Sequence, residues 1–269
     1  MLSALAPARR RLVLALAALV AAAVVAVGTL LLVHAARGGA AAAREVPQDQ
    51  PGPVLLVPGY GGSVTALNLL GSALRAEGKD VTVVLLPDNG VGDLRVQAQA
   101  VGVAAAAARA RTGAPSVDLV GYSAGGVVAR YWVQELGGRG QTRRLVTLGS
   151  PHHGTQAAEL GTLVEGGCPE ACRQLVPSSP LLRELDKDVQ AGGPRVVSIW
   201  TTLDDVVLPP DSARLAGAVN LTVQSVCAAS GVRHTGLPAD HVVQRLVVAQ
   251  LGAGLPPELG PGDCGRLSA

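Results

Sequence analysis

A chain of 269 residues is long enough for one large α/β domain with a buried core, in addition to an N-terminal leader or anchor. Its 22 basic and 20 acidic residues nearly balance, and no stretch gathers Lys and Arg on one predicted face, which argues against nucleic acid as a partner. Phenylalanine is absent and aromatic residues make up only 2% of the sequence, so the core must be aliphatic.

The first 36 residues are typical of a transmembrane anchor or a signal peptide. Residues 12–33 carry no charge and are long enough to span a bilayer, and three arginines at positions 9–11 precede them. Basic residues on the amino side stay in the cytoplasm, so we expect an extracytoplasmic location for the rest of the chain. It is either anchored by residues 12–33 or secreted, because small residues near Ala35 and Ala43 resemble cleavage sites. The basic flank and the following linker do not suit a buried core helix.

Residues 37–52 have neither helical nor strand periodicity and end in Pro and Gly, which is typical of a linker. We therefore expect one folded domain over residues 53–269. Short Val- and Leu-rich runs predict buried strands at Val54–Val57, Val81–Leu86, Val117–Gly121, Leu145–Leu148, Val196–Trp200 and Val219–Val226. Segments of helical pattern or composition lie at Ala66–Glu77, Gly92–Arg111, Ala124–Leu136 and Ala239–Leu251. Strand alternating with helix predicts an α/β fold with a mainly parallel central sheet flanked by helices.

The first predicted strand ends in a Gly-rich loop, Pro58-Gly59-Tyr60-Gly61-Gly62-Ser63. Such a loop can aim backbone N–H groups at an oxyanion that develops during a reaction, and the N–H groups of Tyr60 and Ala124 are the candidate donors. The alternative is a turn that merely uses Gly for positive φ angles.

Ser123 is the candidate nucleophile, in the run Gly121-Tyr122-Ser123-Ala124-Gly125. The GxSxG motif is weak evidence alone, because a chain with 34 glycines is expected to contain about 0.2 matches by chance. Here, however, an apolar strand precedes the serine and a helical stretch follows it. This arrangement predicts a tight strand-to-helix turn that exposes the hydroxyl, whereas a dinucleotide-binding loop would need a GxGxxG that is absent.

Residues 152–194 interrupt the alternation of strand and helix and predict a small cap insertion. Four leucines and valines in it either line an acyl groove or pack into the core: Leu175, Val176, Leu181 and Leu182. All four cysteines, an even number, lie in the exported part, which favours two disulfides. Cys168 and Cys172 close a short local loop, which leaves Cys227 to hold the C-terminal tail at Cys264. Zinc is disfavoured because neither a second close Cys pair nor a following His pair completes the spacing.

The serine needs a base and an acid. Of five histidines, His34 flanks the membrane segment, and His152 and His153 precede any acid in the order Ser, acid, His. His234 lies in a loop after the last predicted strand and is preferred to His241, which falls within the final helix. Asp204 and Asp205 follow the strand Val196–Trp200, and Asp204 is the preferred acid because it lies nearer the strand end. The sequence does not settle which carboxylate points inward.

From Pro53 to about Gln250 the chain resembles bacterial lipases and esterases of the α/β-hydrolase superfamily, particularly exported actinobacterial lipase-like proteins and small lidless Bacillus-type lipases. The resemblance rests on four ordered motifs: Val54 through Gly62, Gly121 through Gly126, Leu148-Gly149-Ser150-Pro151-His152-His153-Gly154-Thr155, and Thr201 through Val207 followed by His234. It implies Ser123 as nucleophile, Asp204 as acid, His234 as base, and the Tyr60 and Ala124 backbones as oxyanion donors. It also implies structural roles for His152 and His153. Pro58 departs from the pattern, since these lipases usually have His there.

These observations predict an exported lipase or carboxylesterase that cleaves lipid or other carboxylic esters through an acyl-enzyme. An acyltransferase or thioesterase with the same triad, and a catalytically silent binding protein on the same fold, are the alternatives. We expect no cofactor and no metal. Partners are the ester substrate and, if the leader is uncleaved, the membrane through the N-terminal helix; the protein is expected to be a monomer.

Overall fold

The computed structural model describes residues 46–163, 167–186 and 193–269. One sheet contains β1 Val54–Val57, β2 Val81–Val83, β3 Val117–Tyr122, β4 Thr142–Leu148, β5 Arg195–Trp200 and β6 Val219–Thr222. The α-helices of these ranges are α1 Thr65–Ala76, α2 Leu94–Thr112, α3 Ala124–Glu135, α4 Gln156–Gly161, α5 Glu170–Gln174, α6 Pro180–Asp186, α7 Val223–Val226, α8 His241–Gln250 and α9 Cys264–Ser268. The predicted anchor at residues 1–36, with its apolar span 12–33, lies outside the described residues. Within those residues, no helix combines the length and hydropathy that a bilayer crossing requires.

All neighbouring strands pair in parallel, in the order β2-β1-β3-β4-β5-β6. The register carries one row of apolar residues across the sheet, pairing Leu56 with Val120, Val120 with Val146, and Val146 with Val197. The predicted fold class, a parallel central sheet flanked by helices, is therefore confirmed. Because the strands are parallel, all their carboxyl ends lie along one edge of the sheet.

Aliphatic side chains form the core on both faces of the sheet, as the lack of Phe requires. On β1, Leu55 and Val57 join the cluster that packs against α2 and α3, whereas Val54 and Leu56 join the cluster that packs against α1 and α8. Successive side chains of a strand point to opposite faces, so a strand covered on both faces can be apolar throughout, as β1 is.

Two predicted strands are shorter than expected. The second ends at Val83, because Pro87 and three left-handed residues, Asp88, Asn89 and Gly90, turn the chain towards the loop after β1. The last becomes helix α7 after four residues, because the Thr222 side chain accepts the backbone N–H of Ser225 and caps the new helix. The run Val219–Val226 did not predict this change from strand to helix, because a short apolar run is compatible with either structure.

A buried ion pair lies at the amino ends of β3 and β4. Arg143 donates to both carboxylate oxygens of Asp118, at 2.9 and 2.5 Å, and both side chains are fully buried. Arg143 and its neighbour Arg144 also donate to backbone carbonyls at the end of α8 and just beyond it, and Arg143 reaches the carbonyl of Gln48. Residues 46–52, the last part of the predicted linker, have no helix or strand, but Gln48 ties them to the domain.

Both expected disulfides are present. Cys168 pairs with Cys172 in the cap, and Cys227 pairs with Cys264. The second bridge joins the end of α7 to the start of α9, so it fixes the C-terminal tail to the face of the sheet that α8 covers. The cap contains α4, α5 and α6. Leu181 and Leu182 in α6 are buried in the core, so of the two expected roles, acyl groove or core packing, they have core packing.

Candidate active site

Ser123 occupies the turn between β3 and α3 in a conformation that few L-residues adopt, with φ 53° and ψ −129°. Its backbone N–H donates to the carbonyl of Leu148 at 2.8 Å, which ties the turn to β4. Glycines make the turn possible: a Cβ on Gly121 would lie 2.4 Å from the Cα of Gly126, and one on Gly125 would lie 2.3 Å from the Pro58 carbonyl oxygen. The GxSxG spacing is therefore a steric requirement of this turn.

The structure brings the preferred base to this serine. His234 begins a 3₁₀ turn in the loop after α7 and is 3% exposed. Its Nε2 lies 3.0 Å from Ser123 Oγ, and its Nδ1 lies 2.8 Å from Asp204 Oδ2. The three side chains, 30 and 81 residues apart along the chain, thus form one continuous hydrogen-bonded series. His241, the alternative base, is the exposed first residue of α8.

The two candidate acids have different environments. The Asp204 side chain is 1% exposed, and its Oδ1 accepts the backbone N–H groups of Val206 and Val207 at 3.0 and 2.7 Å. That leaves Oδ2 free to face His234. Asp205 is about half exposed and lies 3.2 Å from Arg233 on the surface. The inward-facing carboxylate is therefore that of Asp204.

A second set of polar residues holds the loop of the acid to the loop of the base. The Gln224 side chain donates to Thr201 Oγ1 at 3.0 Å and to the Ser230 carbonyl at 3.1 Å, and it accepts the N–H of Thr202 at 3.0 Å. Thr201 Oγ1 in turn donates to the carbonyl of Val232 at 2.7 Å. Sequence reasoning missed Gln224, since only its position at the start of α7, and not any motif, places it between the two loops.

Gly149 and Tyr122 also shape the surroundings of His234. Gly149 has φ +56°, and a Cβ there would lie 2.7 Å from Leu237, 3.1 Å from His234 Nδ1 and 3.3 Å from Asp204 Oδ2. The Tyr122 hydroxyl donates to the His234 carbonyl at 3.3 Å, and the two rings lie 5.3 Å apart. Burial, with the nearby Asp204 carboxylate, raises the pKa of Tyr122 to about 12, so this hydroxyl stays protonated at neutral pH.

The expected oxyanion donors belong to the residue after Ser123 and to the loop that follows β1. Ala124 is the first residue of α3, so its N–H has no partner within the helix. The loop that contains Tyr60 packs directly on the serine, because a Cβ on Gly59 would lie 2.9 Å from the Cβ of Ser123. Two consecutive left-handed glycines, Gly61 and Gly62, turn this loop, so the alternative role of its glycines as turn residues also holds.

The two histidines of the Gly149–Thr155 stretch lie apart from the series. His152 is fully buried, its Nε2 lies 3.1 Å from Thr147 Oγ1, and burial holds its pKa well below the usual value. His153 is exposed, and its Nε2 donates to the carbonyl of Arg214 at 3.0 Å. Neither contacts Ser123, which agrees with the structural roles that the resemblance implies.

A cavity of about 240 Å³ opens beside Ser123. Ser123, Ala124 and Tyr60 line it, and the loop of Asp204 contributes Val206 and Val207. The other lining residues are Pro151, Thr155, Ala157, Ala158, Gly161, Gly167, Cys172 and Leu175. Leu175 lines this cavity and also packs in the buried core. Most of the lining is small and apolar, as the binding of an uncharged chain requires.

The comparisons with known proteins agree with this architecture. The sequence profile described as palmitoyl protein thioesterase matches residues 53–191, just over half of the chain. No curated protein sequence matches the chain.

Several solved structures are similar. Lipase B of Aspergillus fumigatus is 22% identical, with a TM-score of 0.64 over 82% of this chain and 56% of its own; the chain thus spans little more than half of that enzyme. The mature lipase BlEst2 of Bacillus licheniformis is 21% identical, with a TM-score of 0.54 over 65% of this chain and 84% of its own. A Listeria innocua protein is 16% identical, with a TM-score of 0.51, over 72% and 91%. The expected α/β-hydrolase, lipase-like architecture is confirmed.

Proposed function

Because the chain belongs to the palmitoyl protein thioesterase family, we propose that it is a serine hydrolase that cleaves carboxylic esters of lipids through an acyl-enzyme. The observation that carries the proposal is the unbroken series from Ser123 Oγ through His234 to Asp204, at 3.0 and 2.8 Å. An isolated serine hydroxyl is a weak nucleophile, and a base within hydrogen-bond reach is what activates it.

The hydrogen bonds of this series indicate which atom donates and which accepts each proton. The Asp204 carboxylate accepts from Nδ1–H of His234, which leaves Nε2 with a lone pair towards Ser123. Nε2 takes the hydroxyl proton as Ser123 Oγ attacks the substrate carbonyl carbon, and Asp204 stabilises the imidazolium that forms. His234 then protonates the leaving alcohol. In the second half-reaction a water gives a proton to His234 as its oxygen attacks the acyl carbon. The bond from that carbon to Ser123 Oγ then breaks, His234 returns the proton to Oγ, and the carboxylic acid leaves.

The backbone N–H groups of Ala124 and Tyr60 are the proposed donors to the tetrahedral oxyanion. Each donor of this kind lowers the barrier by about 3 kcal/mol. Only backbone groups are needed, so Pro58 in place of the usual His does not prevent this role. The loop of Tyr60 packs against the segment that contains Asn89, since a Cβ on Gly62 would lie 2.9 Å from the Asn89 carbonyl oxygen.

The family match favours a second candidate, hydrolysis of an acyl thioester. The same attack on a carbonyl carbon would release a thiol instead of an alcohol, and the apolar cavity serves the acyl part of either substrate. The two candidates therefore differ in the leaving group and share every residue named above.

We also propose that the domain works outside the cytoplasm, anchored by residues 12–33 or secreted. Both disulfides support this location, because such bonds persist in oxidising compartments and are rare in the cytosol. The anchored and the secreted forms differ in mass and in their N-terminal residue. Sequencing the N-terminus of the protein from the membrane and from the medium distinguishes them.

The test uses the full-length chain with matched pairs of substrates, an O-ester and an S-ester of the same acyl group. Turnover of either class by the wild type and its loss in Ser123→Ala would support the proposal, and the ratio of kcat/KM values would rank the two leaving groups. No turnover of either class would contradict the proposal and favour a silent binding protein. Equal turnover by Ser123→Ala would contradict it by showing that the activity does not use Ser123.

A further inference from the structure

We propose that the Cys168–Cys172 disulfide limits the length of the acyl chain that the active site accepts. The inference rests on the proposed function, since it concerns the cavity beside Ser123. Cys172 lines that cavity together with Gly161 and Gly167, and the disulfide joins Cys172 to Cys168, the residue after Gly167.

The disulfide packs directly on the opposite helix of the cap. The sulfurs of Cys168 and Cys172 lie 3.7 and 3.8 Å from the carbonyl oxygen of Ala158 in α4; with no S–H left to donate, these are packing contacts. A Cβ on Gly161 would lie only 3.2 Å from the sulfur of Cys172. The bridge therefore closes the space between α4 and α5.

Helix α5 has its own attachment to the domain. The N–H of Ala171 donates to the Val91 carbonyl at 3.1 Å, and the Gln174 side chain accepts the N–H of Leu94 at 2.7 Å. Loss of the disulfide would leave these bonds in place. Gly167, which lines the cavity, would lose the covalent link through Cys168, while the hydrogen bond from Arg173 to the Cys168 carbonyl at 2.8 Å would remain.

The cavity is small for a long acyl chain. Its volume of about 240 Å³ is below the roughly 300–1,000 Å³ of pockets that hold drug-sized ligands. A long acyl chain tethered at Ser123 would therefore outgrow this space. Each further carbon must leave the cavity or push against the wall that the disulfide closes.

The prediction concerns the profile of kcat/KM against chain length, measured on the full-length chain with p-nitrophenyl esters from acetate to palmitate. Burial of each methylene raises kcat/KM about fourfold, equivalent to ~0.8 kcal/mol, until the cavity is full. We expect the wild-type profile to stop rising before palmitate. In the double variant Cys168→Ser/Cys172→Ser the rise should continue by two or more carbons.

Each profile is normalised to the variant's own butyrate value, so a general loss of activity does not change its shape. The double variant Cys227→Ser/Cys264→Ser, which removes the disulfide outside the cavity, is the matched control and should keep the wild-type profile. Ala157→Leu is an independent probe, because Ala157 is exposed and lines the cavity. It should shorten the optimum, whereas Ala106→Leu on the exposed face of α2 should not.

An unchanged profile in Cys168→Ser/Cys172→Ser, with ester turnover intact, would overturn the inference and leave the proposed function standing. The same shift in both disulfide variants would also overturn it. If the cap variant does not fold, Ala157→Leu decides, and an unaltered optimum there refutes the role of this wall. No turnover of any ester by the wild type would overturn the inference and the ester-hydrolase proposal together.

Discussion

The substitution Asp204→Asn tests the assignment of the acid, and Asp205→Asn is its neighbouring control. Oδ1 of Asp204 is held by two backbone N–H groups, so an asparagine must keep its oxygen there and turn its amide nitrogen towards His234. Two donors would then face each other across 2.8 Å. The imidazole proton must move to Nε2, where it opposes Ser123 Oγ and the ring can no longer accept the hydroxyl proton.

The expected loss in kcat is about 10⁴-fold, or ~5.5 kcal/mol, with little change in KM. Asp205→Asn removes only a surface contact with Arg233, worth at most ~1 kcal/mol, so kcat should fall less than about fivefold. The assay is steady-state ester hydrolysis, with far-ultraviolet circular dichroism to check that both variants fold. Retention of a tenth of kcat by Asp204→Asn, or a larger loss in Asp205→Asn, would refute the assignment.

Three further predictions concern residues around the site and the core. Gly149→Ala should lower kcat far more than Gly217→Ala, because both positions have left-handed backbone but only the first methyl would contact His234; equal losses would contradict this role for Gly149. Arg143→Ala, which leaves Asp118 buried and unpaired, should lower the free energy of unfolding in urea by about 3–5 kcal/mol, and a loss under 1 kcal/mol would show that the pair is not buried in solution. Burial raises the pKa of Tyr122 to about 12, so its contribution to the free energy of unfolding is complete below the unfolded pKa of about 10 and is lost as the pH rises through 12. An ultraviolet titration of tyrosine ionisation should show a late phase near pH 12, and Tyr122→Phe should remove that phase.

Much of the fold could be predicted because the strands are buried on both faces. The run Val54–Val57 is apolar throughout, and Val117–Gly121 is apolar except for Asp118; such runs mark central parallel strands without reference to any partner. Boundaries were less accurate where a local side chain decides them. The end of β6 depends on one capping hydroxyl, that of Thr222, and a strand pattern does not reveal it.

Some residues of the candidate site could be predicted from the sequence and others could not. Ser123, Asp204 and His234 could be located because each follows a strand or lies in a loop at the carboxyl edge of a parallel sheet, and their order along the chain is informative. Gln224 and Gly149 could not, since their importance lies in contacts with residues far away in sequence. The side chain of Asp204, and not that of Asp205, points inward because its Oδ1 is held by Val206 and Val207, a local geometry that two adjacent aspartates do not disclose in advance.

The acyl-enzyme on Ser123 is the central claim, and rapid-quench mass spectrometry tests it most directly. The full-length chain is mixed with a p-nitrophenyl ester, quenched in acid within the first turnover and digested. We predict that the peptide containing Ser123 carries the mass of the acyl group, and that this adduct is absent in Ser123→Ala. An adduct on another residue, or ester turnover that persists in Ser123→Ala, would contradict the account.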